Sequence, residues 1–321
     1  MTDPDNHDES VRFSSPPEVL LSNCNCCPRE CGADRTAGEL GFCNIDDGIA
    51  ISSICAHHGE EPVFSGPHGI CNIFLSHCNM QCIFCQNYQI SDNQSSLAFD
   101  CKDLDHIVAQ VEAILSRGAI AVGFVSPSHS IPQMKQIMQA INDRGHYPVW
   151  VYNSNGYDKA EMIRSMEGII DVYLPDMKYM DNRLASEYSS TPDYTDFACE
   201  AIKEMFRQKG ADLHLDESGL VTSGLVIRHL ILPGQVENSR QVLRFIAREL
   251  SPDVYISLMS QYYPTPRVAR HPVLGRTLRA SEYQEVIGEF ERLGFHRGFV
   301  QQLSSPHHYR PDFLKEHPFE D

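Results

Sequence analysis

Short apolar runs alternate with helix-period segments along residues 69–303. Ile70–Ser76, Ala119–Ser126, Pro148–Asn153, Ile169–Leu174, Gly224–Leu232 and Val254–Met259 read as six strands. Between them, Asp103–Arg117 gathers Leu104, Ile107, Val108, Val111, Ile114 and Leu115 on one helical face. Ile131–Arg144 opens with Pro132 and repeats Met134, Ile137, Met138 and Ile141 at helical spacing. Asp158–Glu167 reads as a helix capped by its Asp, and Asp181–Gln208 as largely helical. Ser239–Leu250 and Ser281–Leu293 are further helices, and Gly298–Gln302 a last short strand. This alternation predicts an α/β fold with a parallel sheet and right-handed crossovers. Periodicity does not separate an open sheet from a curved partial barrel. Either one puts reactive residues at the carboxyl ends of the strands.

The flanks have another character. Residues 1–20 are charged, end in Ser14-Ser15-Pro16-Pro17 and read as a disordered N-terminus. Residues 21–68 form a turn-rich, cysteine-rich extension, and 304–321 a loosely held tail rich in His and Pro. The acidic start is no secretory signal, and no apolar run approaches membrane-spanning length. A net charge of −17 argues against nucleic acid and against a membrane surface as partners. Twelve cysteines without an export signal point to metal or redox chemistry in a reducing cytoplasm.

The sharpest chemical signal is Cys78-Asn79-Met80-Gln81-Cys82-Ile83-Phe84-Cys85. Three thiolates on one tight loop after a strand hold three irons of a 4Fe–4S cube and leave the fourth open to a small molecule, since a closed cluster takes four cysteines. The competing reading is a zinc knuckle or three buried thiols, and zinc favours paired CxxC spacing. Cys24, Cys27, Cys31 and Cys43 make a second set, which fits either zinc or an auxiliary iron–sulfur cluster, with Cys26 able to exchange with a neighbour. Cys71 reads as core, Cys101 and Cys199 as bystanders, and Cys55 as ambiguous.

Each predicted strand ends on polar residues: Ser126-Pro127-Ser128-His129, Asn153-Ser154-Asn155-Gly156, Asp176-Met177-Lys178, Arg228-His229 and Ser260-Gln261-Tyr262. Taken singly, any of these is ordinary turn chemistry. Taken with the cysteine loop, they outline a site. His57, His58, Glu60 and Glu61, just before Pro62, read either as a hydrogen-bonded connector or as a lid touching substrate or metal.

The run from Cys78 to Lys178 resembles the radical SAM activases of glycyl-radical enzymes, typified by the pyruvate formate-lyase activating enzyme. The cysteine motif matches, Asn153-Ser154-Asn155-Gly156 is similar to the family's Asp-Thr-Asn-Gly, and Asp176-Met177-Lys178 to its Asp-x-Lys. Arg228-His229-Leu230-Ile231-Leu232-Pro233-Gly234 is similar to its Arg-x-x-x-x-Pro-Gly. Over nearly its whole length the chain is closer to an offshoot, the pyruvate formate-lyase activating enzyme-like iron–sulfur proteins. The carriers are Cys27-Pro28-Arg29-Glu30-Cys31-Gly32, His58-Gly59-Glu60-Glu61-Pro62, Cys85-Gln86-Asn87-Tyr88 and Tyr173-Leu174-Pro175-Asp176-Met177-Lys178-Tyr179.

The resemblance implies a partial (β/α)6 barrel with a small N-terminal extension, a 4Fe–4S cluster on Cys78, Cys82 and Cys85, and S-adenosylmethionine (SAM) at the open iron. It implies SAM or cation contacts for Asn153, Asp176 and Lys178, with Asn155 and Arg228 as further candidates. Ser126, Ser128 and His129 stand where the family has a Gly-Gly-Glu segment that binds the SAM amino group. Asn153 replaces a charged ligand, and the sixth strand lacks the family's histidine. The implied activity is reductive SAM cleavage to a 5′-deoxyadenosyl radical that abstracts hydrogen. The implied partners are a flavodoxin- or ferredoxin-type electron donor and a protein substrate. Other readings are a radical SAM enzyme acting on another protein, peptide or metabolite, and a non-catalytic iron–sulfur or zinc sensor or scaffold.

Overall fold

Apolar strand runs need cover on both faces, and the amphipathic helices supply it on one of them. A computed structural model of the chain describes residues 21–94, 103–303, 310–315 and 318–319. The N-terminal twenty residues, Cys101 and most of the C-terminal tail lie outside the described residues.

The strands are β1 (Ile51–His57), β2 (Ile70–Leu75), β3 (Ala121–Val125), β4 (Val149–Asn153), β5 (Val172–Tyr173), β6 (His214–Leu215), β7 (Val221–Leu230), β8 (Tyr255–Met259) and β9 (Gly298–Val300). The helices are α1 (Pro62–Ser65), α2 (Tyr88–Ser91), α3 (Leu104–Leu115), α4 (Ile131–Asp143), α5 (Ala160–Arg164), α6 (Asn182–Ser189), α7 (Tyr194–Lys209), α8 (Val236–Phe245) and α9 (Ala280–Arg292). The sheet runs β1-β2-β3-β4-β5-β7-β8-β9, parallel from β2 onward, with β6 paired antiparallel to β7. All six predicted strands are present, in sequential parallel order.

Some elements differ from expectation. β1 lies within the stretch assigned to the extension and pairs antiparallel with β2. Its sequence mixes Ser and Ile because it is a half-covered edge strand, so it lacks the unbroken apolar run of its neighbours. The helix expected from Asp158 is only Ala160–Arg164. Asp158 is instead drawn into the interior, where it accepts hydrogen bonds from Tyr152 Oη at 2.8 Å and from Ser154 Oγ. The Asp181–Gln208 segment divides into α6 and α7, because Ser190 turns into the left-handed region (φ +55°) just before Thr191 and Pro192.

Strand register explains where the site lies. Ile70, Ala121, Val151, Val172 and Val226 share the concave face, packed with Phe64 as a small apolar plug. Two residues further along each strand the same face carries Asn72, Gly123, Asn153, Leu174 and Arg228. Near the carboxyl ends it carries Phe74, Val125, Asn153, Asp176, Arg228, Ser257 and Phe299. The convex face holds the main core, in which Cys71, Val122, Tyr152, Tyr173 and Ile227 meet helix residues such as Ile107, Met134, Ile163, Ile202 and Val242. The concave face is therefore apolar at one end and polar at the other, where the strand ends open.

Candidate active site

The cysteine loop leaves β2 through His77, whose φ of +62° turns the chain sharply. Gln81 N donates to Ser189 O and Ile83 N to Tyr188 O, which strap the loop to the end of α6. Every sulfur of the loop accepts at least one hydrogen bond. Cys78 Sγ receives Met80 N and Asn155 Nδ2, each at 3.4 Å; Cys82 Sγ receives Ser189 Oγ at 3.0 Å; Cys85 Sγ receives Ser91 Oγ at 3.3 Å. Asn155 Nδ2 also donates to Asn79 Oδ1 at 2.7 Å, and Asn79 Nδ2 to Tyr157 O at 2.9 Å, so the Asn-Ser-Asn-Gly turn is locked to the loop. Gly156 is required there, since a Cβ would lie 2.2 Å from Asp176 O.

Burial pushes the Cys78 thiol up to about 12, and raises Cys82 to about 11 although the nearby Lys178 opposes the shift. The thiolate forms therefore need a bound cation. As arranged here, no three His, Cys, Asp or Glu side chains among the described residues converge on one metal ion. The sulfur hydrogen bonds are those a charged cluster requires, and the residues fit the group.

Cys82 and Cys85 open onto a cavity of about 320 Å³ at the carboxyl ends of the strands. Ser126, Asn153, Asp176, Lys178 and Arg228 line the same cavity. Ser126 is held in the left-handed region at φ +53°, with its N donating to Asn153 O at 2.8 Å. A left-handed non-glycine residue at a strand end is a conformation that the surrounding structure must enforce. Lys178 Nζ is paired with the Asp176 carboxylate. Burial disfavours the ammonium, but Asp176 and Cys82 outweigh it and raise the lysine's pKa, so Lys178 is a fixed cation beside the cluster loop.

Arg228 Nε and Nη2 bond Glu61 at 2.9 and 2.6 Å, and Nη2 also meets Glu60. Asn72 Nδ2 donates to Glu60 Oε1 at 2.8 Å. Gly123 makes room for Asn72, since a Cβ would stand 2.4 Å from Asn72 Oδ1. Burial favours the neutral Glu60 carboxyl, but Arg228 outweighs it and holds the group at about 2. With two carboxylates on its guanidinium, Arg228 shapes the cavity wall and has little charge left for a ligand.

The structure thus brings together Cys82, Cys85, Ser126, Asn153, Asp176, Lys178 and Arg228. It does not bring Ser128, His129 or Asn155 to this cavity. Ser128 is fully buried beside Asp158. Asn155 serves the Cys78 sulfur instead. His129 faces away, with Nε2 at 3.0 Å from Ser76 O and its own carbonyl accepting Arg35 Nη1 at 2.9 Å. Burial pulls its imidazole down to about 4, so it is neutral and unsuited to pairing with an anion. Its position follows from the tight turn Pro127–His129, which tucks the ring under the strand ends. His57, Glu60, Glu61, Gln86, Gln261 and Gln301 also line the cavity. For His57, Glu60 and Glu61 the signal was the polar cluster ahead of Pro62, and for Gln261 the polar end of the sixth strand. Gln86 and Gln301 sit among other polar residues and gave none.

The second cysteine set gathers elsewhere. Cys24, Cys26, Cys27, Cys31 and Cys43 surround a small pocket together with Arg29, Phe42, Asn79 and His129.

The family of 4Fe-4S single cluster domains matches residues 64–190, which span the cysteine loop and β2 through α6. An uncharacterized protein of Methanocaldococcus jannaschii is 27% identical over 276 residues, covering 84% of this chain and 74% of that protein. Lipoyl synthase of Beutenbergia cavernae is 23% identical over 229 residues, covering 68% of this chain and 60% of that protein. In fold, the chain is similar to the FeFe-hydrogenase maturase HydG from Carboxydothermus hydrogenoformans, with a TM-score of 0.51 and 12% identity over 72% of this chain and 52% of that one. The chain therefore spans about half the length of that structure. Among the described residues, no helix is long and apolar enough to cross a membrane. The three-cysteine loop lies within the matched 4Fe-4S single cluster domain and is presented by a parallel α/β sheet, as in the radical SAM proteins that the chain resembles; these findings support a 4Fe–4S cluster and S-adenosylmethionine as its cofactors.

Proposed function

We propose that this protein is a radical SAM oxidoreductase that abstracts hydrogen from its substrate, in the manner of the glycyl-radical enzyme activases. One observation carries the reading: Cys82 and Cys85 of the three-cysteine loop border a cavity that is also lined by Asn153, Asp176 and Lys178 at the ends of neighbouring strands. A 4Fe–4S cluster held by Cys78, Cys82 and Cys85 would supply the single electron for reductive cleavage of SAM, the source of the hydrogen-abstracting radical chemistry.

The chain's own residues supply position and charge. Lys178 and Asp176 offer a cation and a carboxylate side by side, which suits the carboxylate and amino groups of an amino acid. Asn153 and Ser126 add neutral donors and acceptors on the adjacent strands. Asn155, Ser91 and Ser189 stabilise charge on the ligand sulfurs through their hydrogen bonds. Val125, Leu230, Met259 and Phe299 give the cavity dry walls that exclude water. The electron donor in this account is a low-potential flavodoxin or ferredoxin. The substrate is a backbone glycine of a partner glycyl-radical enzyme.

A small-molecule substrate is the second reading. The volume of about 320 Å³ is at the low end for ligand sites, and Pro311 and Phe319 form part of its wall. The two readings part in one experiment. The reconstituted protein is mixed with reductant, SAM and a glycyl-radical enzyme from the same genome. The activase reading expects a glycyl radical by EPR. SAM cleavage with no such radical, for every such enzyme the genome encodes, sinks it in favour of the second.

A further inference from the structure

The first stretch of the described chain, Leu21–Asp47, has almost nothing with which to build a core of its own. Between Leu21 and Asp47 the regular structure is two single 3-10 turns, and the buried apolar side chains are Cys24, Cys26, Cys27, Ala33, Cys43 and Ile45. Segments of this kind gain their folding free energy from a metal. The turns hold the cysteines together: Cys24 N donates to Ala33 O, Gly32 N to Cys24 O, and Glu30 N to Cys27 O. Gly32 supplies the left-handed turn (φ +69°) after Cys31.

A second observation is independent of the cysteines. Arg35 is fully buried. Its Nε donates to Asp46 O at 2.7 Å and its Nη1 to His129 O at 2.9 Å, while Nη2 has no partner. Among the described residues no carboxylate pairs with it; the groups beside Nη1 are Cys24 Sγ at 3.9 Å and Cys26 Sγ at 4.0 Å. A buried guanidinium keeps its charge and needs an anion. Neutral thiols do not provide one. Several free thiolates would repel each other, but thiolates gathered on a divalent cation carry a net charge of about −2 and satisfy both conditions.

We propose that Cys24, Cys27, Cys31 and Cys43 bind a structural zinc ion, with the buried Arg35 guanidinium as its counter-ion. The pocket they surround is about 10 Å³, room for one atom and not for an iron–sulfur cube. As arranged here the sulfurs do not yet converge on one point, so binding draws them inward by side-chain rotation about a backbone already in place. Cys26 lies beside the set, its Sγ 4.0 Å from Arg35 Nη1. The centre also buttresses the other one. Arg29, between two of the ligands, donates from Nε to Asn79 O at 2.8 Å, and Asn79 holds Asn155 against Cys78.

The test is metal analysis of untagged full-length protein, as wild type and with Cys78, Cys82 and Cys85 all replaced by Ala. The expected result is about one zinc per chain in both. Iron with acid-labile sulfide remaining in the triple variant overturns the zinc assignment, and an absence of both metals overturns the site. Should the triple variant not fold, the wild type decides against Cys43→Ser. That variant should lose its zinc while its iron stays unchanged, and unchanged zinc contradicts the assignment. Arg35→Gln should hasten zinc loss to a chelator about 10–100-fold, the usual range for a lost outer-shell partner. Arg35→Lys should restore most of the retention, and equal rates in wild type and Arg35→Gln would remove Arg35 from the account. Zinc content is read without reference to SAM, so this proposal and the radical chemistry fail separately.

Discussion

Cys82 and Cys85 border a cavity of about 320 Å³, whereas Cys24, Cys27, Cys31 and Cys43 border one of about 10 Å³. The same side chain serves an open site in one place and a closed one in the other, and the surroundings make the difference. The open site sits where parallel strands end and diverge, so its walls come from many strands and leave room for a ligand. The closed site is built from turns of one short segment pressed against His129 and Asn79. Each has a buried arginine. Arg228 is answered by Glu60 and Glu61 and is a finished piece of wall. Arg35 has no carboxylate among the described residues and asks for charge from whatever the thiols bind.

The largest single-site effect is expected where that contrast is sharpest. Arg228→Met strands two buried carboxylates and should cost about 3–5 kcal/mol, the range for breaking a buried pair. Denaturant unfolding checks this. A loss under about 1 kcal/mol would mean that Glu60 and Glu61 find other partners and that the pair is not a structural strut.

Lys178→Ala tests the open site as a binding site. It removes a cation from the cavity while leaving the cysteine loop intact. SAM affinity should fall by about 1.5–3 kcal/mol, the worth of a charge-assisted hydrogen bond, with iron content near normal. Calorimetry that finds SAM affinity unaltered would remove Lys178 from the ligand set.

Asn155→Ala is the mildest change. It deletes the hydrogen bond to Cys78 Sγ, so negative charge on that sulfur is less stabilised and the cluster's reduction potential should become more negative. EPR-monitored redox titration reads this. A potential that stays put or rises would show that Met80 N alone sets the environment of Cys78.

Much of this was legible in the sequence, and the limits have physical causes. The six parallel strands were visible because strands covered on both faces show unbroken apolar runs, as in Ala121–Val125 and Tyr255–Met259. β1 was not visible because this partly buried edge strand breaks its apolar run with serines. Strand-end polarity pointed to Ser126, Asn153, Asp176 and Lys178, and the structure puts all four on the cavity wall, since an α/β sheet opens there. Ser128, His129 and Asn155, two or three residues further on, lie away from it. By that point the chain has turned, and turn geometry decides the facing direction. The partnership of Arg228 with Glu60 and Glu61 spans more than 160 residues of sequence, and no local pattern encodes it. Arg35 looked like any polar residue in a turn-rich segment; only its burial gives it meaning.

The central claim is tested most directly by anaerobic reconstitution with iron and sulfide, followed by chemical reduction in the presence of SAM and quantification of 5′-deoxyadenosine. The account predicts that the wild-type chain forms 5′-deoxyadenosine and that replacing Cys78, Cys82 and Cys85 by Ala abolishes it. A reduced, cluster-loaded wild type that yields no more 5′-deoxyadenosine than the triple variant would contradict it.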